Sequence, residues 1–218
     1  MFEFLGFSEN LRNELAVAGQ FKSFSAGEIL CKPGDITEDV TLVAKGYVKL
    51  SLMSSNGSKQ MLYFLEPGML CGVSVYSTVV ESKSKIFGEA ESDVEMLVIP
   101  GKAVAKLRSE NGEWNAFVSV EVKDRMEKTM MRLDEVSFDS LSSRLLKYLK
   151  EYSRMTDSME IAKSHLALAQ DLNSSREVIS KLLKKMELDG EISMGHGSIW
   201  LILTHTLNQN DDVIRTQG

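Results

Sequence analysis

SHLALAQDLNSSREVISKLLKKM, residues 164–186, holds two short helical patterns that meet at a tight turn. Ser164 can cap the first helix, whose inner face carries Leu168, Ala169 and Leu172. Asn173 follows, and Asn tolerates the left-handed backbone that a sharp turn between helices often needs. Ser174 to Glu177 reads S-x-x-E, a capping box that opens the second helix. Ile179, Leu182, Leu183 and Met186 recur at i, i+3, i+4, i+7 and give that helix one narrow apolar face. Its other face presents Arg176, Glu177, Ser180, Lys181 and Lys184. Capped helices with an apolar inner face and a charged outer one predict a helix-turn-helix that reads duplex DNA.

The bulk numbers bound what surrounds this element. At 218 residues the chain can form one large domain or two moderate ones. A net charge of -6 argues against a chain that coats nucleic acid everywhere, though not against a small basic element on an acidic body. Two cysteines, Cys31 and Cys71, cannot build a disulfide framework, and the first residues lack a basic-then-apolar leader pattern. No apolar run approaches the ~20 residues of a membrane span. These features predict a soluble, cytoplasmic protein without a membrane partner.

Glycine and proline divide the chain. All three prolines and eleven of the fifteen glycines lie at or before Gly112, and none of either falls between Glu113 and Asp189. That distribution predicts β followed by α. A short amphipathic helix is expected near Glu9–Ala18, with Leu11, Leu15 and Ala18 on one side. Strands are expected at 21–24, 28–32, 39–44, 47–53, 60–65, 73–75, 84–90 and 95–99, with a hairpin at Asn56-Gly57. Short strands at this spacing fit an antiparallel sandwich or jelly roll.

From Glu113, Trp114, Val118, Val122, Met126, Met130 and Leu133 recur every three or four residues. This stripe predicts a long helix that pairs with a second copy, with Phe117 and Val120 widening its apolar side toward the β domain. A further helix is expected at 141–152. After the helix-turn-helix, Gly190 fits a C-cap, and 191–194 and 198–203 read as a β-hairpin wing around Gly195-His196-Gly197.

The chain resembles the cAMP-receptor/fumarate-nitrate regulator (Crp/Fnr) family of bacterial transcription factors. The resemblance rests on SSREVISKLLKKMELDGEI at 174–192, LDEVSFDSLSSRLLKYL at 133–149 and PGMLCGVSV at 67–75. It implies an α+β multidomain fold: a sensor domain at 1–112 built as an antiparallel β-roll (a double-stranded β-helix of cyclic-nucleotide-binding type), a dimerisation helix at 113–138 and a winged helix-turn-helix at 139–218. Arg176 and Glu177 fall where family members contact bases, Lys181 where many have Arg, and Ser180 where one branch has Ser. Independently, Arg forks onto guanine O6 and N7, and Glu accepts from cytosine N4. Ser164, His165, Ser174, Ser175 and His196 complete the expected DNA-contacting set, chiefly as phosphate ligands. The implied partners are a near-palindromic duplex, a second copy of the chain and RNA polymerase.

The expected effector site departs from the family. Cyclic-nucleotide-binding members carry Gly-Glu after the turn and an Arg followed by Ser or Thr later. Here the positions read Gly72-Val73-Ser74, then Glu81-Ser82-Lys83-Ser84-Lys85, with neither the carboxylate nor the Arg. A buried phosphate favours the bidentate Arg fork, so ordinary cAMP binding is not expected. Two cysteines exclude a four-cysteine iron–sulfur cluster within one chain. All three histidines are C-terminal, which argues against a haem in the sensor. No metal or cofactor is expected. Cys71, beside Gly72 and Ser74, with Lys83 and Lys85 as candidate neighbours, is either a small core residue or a thiolate sensor of oxidants. A small-molecule-binding signalling module using pocket contacts of its own is the alternative function. No nucleophile-base set or phosphate-cradling glycine loop suggests an enzyme.

Overall fold

The structure is a computed structural model that describes residues 5–36, 38–55, 57–71, 75, 83–195 and 197–202. The chain divides into two compact units, Met1–Arg144 with Gln170–Asn173, and Leu145–Ala169 with Ser174–Gly218.

In the first unit, α1 (Glu9–Ala18) is capped by the Ser8 hydroxyl and buries Leu11 and Leu15. Strands β1 (Gln20–Phe24), β2 (Ile29–Cys31), β3 (Asp39–Lys45), β4 (Val48–Met53), β5 (Lys59–Leu65), β6 (Ile86–Ala90) and β7 (Val94–Pro100) follow. They pair antiparallel in two sheets, ordered β1-β7-β3 and β2-β6-β4-β5. This is the expected β-roll. Of the strand predicted at 73–75, only Val75 lies within the described residues, as does Gly57 but not Asn56 of the predicted hairpin. The turn between β3 and β4 requires Gly46: its φ is 75°, and a Cβ there would collide with the Asp93 carbonyl oxygen.

The pleat of β7 separates two cores. Leu97 and Ile99 join Leu11, Leu42, Leu70 and Trp114, while Val94 and Met96 join Val48, Leu50 and Leu65. A helix the sequence did not signal, α2 (Gly101–Glu110), buries Val104 and Leu107. Pro100-Gly101 reads as turn punctuation, but a proline just before the first helical residue gives up no intrahelical bond.

The long helix α3 (Gly112–Phe138) opens at Asn111, whose side chain accepts the Trp114 N–H at 3.0 Å. Two assignments to its faces need correction. Trp114, expected at the dimer stripe, is fully buried and touches Phe117, whose ring meets Phe7 edge-on at 4.8 Å. Val118 also turns partly into that core. Conversely Val120, expected against the β domain, is exposed. Beyond Val118 the helix packs on the β-roll through polar residues. The Glu121 carboxylate accepts the Leu70 N–H at 2.9 Å, Arg125 donates to Met69 Sδ at 2.8 Å, and the Arg132 Nε–H donates to the Leu62 carbonyl at 3.0 Å. Val122, Met126, Met130 and Leu133 are left 47–67% exposed.

In the second unit, α4 (Leu141–Thr156, its first turn belonging to the first unit) buries Leu145, Tyr148, Leu149 and Met155. After β8 (Glu160–Ile161) come α5 (His165–Asp171), α6 (Arg176–Leu188), β9 (Ile192–Met194) and β10 (Ile199–Leu201). The expected wing is present at β9 and β10. It gains β8 as a third antiparallel strand, in the order β8-β10-β9, a two-residue pairing too short to leave a sequence pattern. No helix among the described residues is long and apolar enough to cross a membrane.

Burial is the largest influence on Glu121 and raises its pKa above the ordinary carboxylate range, against the lowering by the Leu70 N–H and then by Arg125. The fold therefore holds this proton more tightly than the unfolded chain does. Its contribution to stability is full below the unfolded pKa and is lost as pH rises through the folded one. Glu121→Gln keeps an oxygen acceptor for the Leu70 N–H. Urea midpoints measured from acidic to neutral pH should fall less steeply with pH in this variant than in the parent; an unchanged slope removes Glu121 as the cause.

Candidate nucleic-acid interface and sensor cavity

The helix-turn-helix is assembled by its caps. Ser164 Oγ accepts the Ala167 N–H at 3.1 Å and opens α5, as its position predicts. Asn173 takes the left-handed conformation, with φ of 50°, and the Ser174 N–H closes the turn on the Ala169 carbonyl at 2.8 Å. The cap of α6 is Ser175, not the Ser174 expected from S-x-x-E: Ser175 Oγ accepts the Val178 N–H at 3.2 Å. The turn consumes one more residue than the motif implies, so Glu177 sits too early to close a capping box and pairs instead with Lys181 at 2.8 Å. At the far end, the Gly190 N–H reaches the Glu187 carbonyl and the Glu191 N–H reaches that of Met186, with Gly190 at φ 75°. That is a Schellman stop.

These ends set the orientation of α6. Ile179, Leu183 and Met186 are buried, with Leu182 half-buried beside them, while Arg176, Glu177 and Lys181 are exposed. An ion pair this exposed is worth roughly 0–1 kcal/mol, so both partners can be given up to a polar ligand. Ser180 is differently placed. Its hydroxyl donates to the Arg176 carbonyl at 2.8 Å, which makes His165 Nδ1 the donor in their 2.8 Å contact. Two residues expected to touch DNA are thus also bonded to each other, α5 to α6. His196 lies outside the described residues.

In the first unit the turn at 66–71 is tied to β3: the Gly68 and Cys71 N–H groups donate to the carbonyls of Val43 and Thr41. Cys71 thereby lines a cavity of about 110 Å³ with Cys31, Leu50, Leu65, Ile86 and Met96 among its walls. Neither thiol is in a disulfide. Burial first, then neighbouring Cys71, pushes the Cys31 thiol up to about 11. Lys83 and Lys85 are exposed and flank Ser84, which lines the cavity while they do not. The lysines expected beside Cys71 are therefore exposed and do not line the cavity. Gly72 and Ser74 lie outside the described residues. That both cysteines share one cavity was not legible, since 40 residues separate them in sequence.

Residues 21–111 match the cyclic nucleotide-binding domain family. The chain is also 25% identical over 171 residues to the global nitrogen regulator of Synechococcus elongatus, covering 75% of this chain and 77% of that one. Among solved structures, a transcriptional regulator of the Crp/Fnr family from Eubacterium rectale superposes with a TM-score of 0.77 at 20% identity, covering 92% and 93% of the two chains. Over most of its length the chain is similar to transcription regulators of the Crp/Fnr type. The c-di-GMP-responsive global regulator of Xanthomonas campestris shares this Crp/Fnr fold, with a TM-score of 0.79 at 17% identity over 90% of this chain and 100% of that one.

Moving the cap to Ser175 is open to test. Ser175→Ala should cost about 1 kcal/mol of unfolding free energy, and Ser174→Ala clearly less, in urea denaturation followed by helical ellipticity. Equal losses would return the cap to the S-x-x-E register.

Proposed function

We propose that the protein is a homodimeric, sequence-specific DNA-binding regulator of transcription that acts in the cytoplasm and is controlled at its first unit by a signal other than cAMP. The observation that carries this reading is the exposed row Arg176, Glu177 and Lys181 at the start of a helix capped at both ends. A guanidinium and a carboxylate at the N-terminal end of a groove-entering helix match the donor and acceptor pattern of a G·C pair. Lys181 lacks the fork and serves the backbone phosphates. Arg176→Ala should lose ~1–3 kcal/mol of discrimination at one base pair of the operator, measured by binding to a set of single-base variants. A uniform loss across all sequences would reassign Arg176 to phosphate.

Dimerisation is supported by the exposed Val122, Met126, Met130 and Leu133 on the side of α3 away from its polar contacts. An apolar stripe of this length is ordinarily covered, and a two-fold partner places two recognition helices on matching half-sites. Met126→Asp, at a position outside the core, should sediment as a monomer and bind a palindromic operator at least about a hundredfold more weakly. A dimer that persists in this variant would move the interface elsewhere. Exclusion of cAMP is supported by the missing Glu and Arg in the sequence and by a cavity with no charged side chain among the described residues of its lining.

A further inference from the structure

The cavity inside the β-roll has a chemistry of its own. Leu30, Val48, Leu50, Leu65, Ile86 and Met96 supply most of its wall, from both sheets. Its polar groups are turned to other uses. Ser84 Oγ donates to the Ile86 carbonyl at 3.2 Å and accepts the Ile86 N–H at 3.0 Å, and the Cys31 thiol donates to that same carbonyl at 3.7 Å. A Cβ on Gly88 would stand 2.8 Å from Cys31 Sγ, so the missing side chain is what seats this thiol in the wall. An anion entering here would lose its hydration and meet no cation among the described lining residues. Size points the same way: the cavity is about 110 Å³, and an apolar cavity of roughly 150 Å³ takes up benzene or xenon.

We propose that this cavity is a binding site for a small, uncharged, apolar molecule about the size of a benzene ring. The site deepens the reading of the first unit as the sensing part, but its occupancy is independent of DNA. Burial of apolar surface drives binding, and Thr41 and the two thiols admit at most one weakly polar substituent. The walls come from both sheets and from Cys71 in the turn that Glu121 of α3 holds through Leu70, so occupancy bears on the same turn that contacts the long helix.

The test is thermal unfolding of the full-length protein with benzene, and separately with cAMP. Benzene should raise the melting temperature saturably and cAMP should leave it unchanged, because a ligand that binds only the folded state stabilises it. Leu30→Phe, which fills the cavity, should abolish the benzene shift. Leu30→Ala, which enlarges it, should extend the response to naphthalene, and it decides the matter if Leu30→Phe gives no cooperative melt. A shift with cAMP and none with benzene overturns the site, as does a benzene shift that survives Leu30→Phe. Benzene binding without any change in operator affinity upholds the site and overturns its role as the regulator's input.

Discussion

The Glu121 carboxylate, buried against the Leu70 N–H, is the contact on which the first unit depends. A backbone amide in the turn after β5 would otherwise be buried without a partner, at a cost of about 1–3 kcal/mol. Meeting it with a charged group obliges the helix to turn a polar face inward. Arg125 and Arg132 lie on the same face, at spacings of four and seven residues, and satisfy a sulfur and a carbonyl of the neighbouring β-roll. The apolar residues of α3 beyond Val118 are left on the outside as a consequence.

The same turn connects α3 to the cavity. Leu70 belongs to the core with Trp114, while Cys71, one residue on, lines the space between the sheets. Period-two alternation thus puts the long helix and the cavity on opposite sides of one short segment. The described residues that line the cavity are uncharged. The exposed start of α6 carries charge that is only weakly committed, since the Glu177–Lys181 ion pair lies in water.

Most of the secondary structure was legible because it rests on local rules. Caps, left-handed turn residues and periodicity need no knowledge of the rest of the chain, and Ser164, Asn173 and Gly190 behave as their types predict. The departures share one cause. Whether Ser174 or Ser175 caps α6 depends on how many residues the turn at Asn173 consumes, and two adjacent serines look alike to a motif. Trp114 and Val120 are apolar residues on a helix with neighbours on more than one side, so spacing alone could not say which side each would face. The pairing of Ser180 with His165 joins residues 15 positions apart and exists only once two helices cross.

By itself the sequence determined the order of the parts, β-roll then long helix then winged helix-turn-helix, and the identity of the side chains at the start of α6. These follow from turn residues and hydrophobic period, which act over a few residues. Tertiary structure alone decided which face of α3 is covered, which serine caps α6, and that two distant cysteines line one cavity. Those outcomes depend on which groups come together from distant strands, and on the cost of leaving a buried polar group unpaired. Neither is encoded in any local window of the chain.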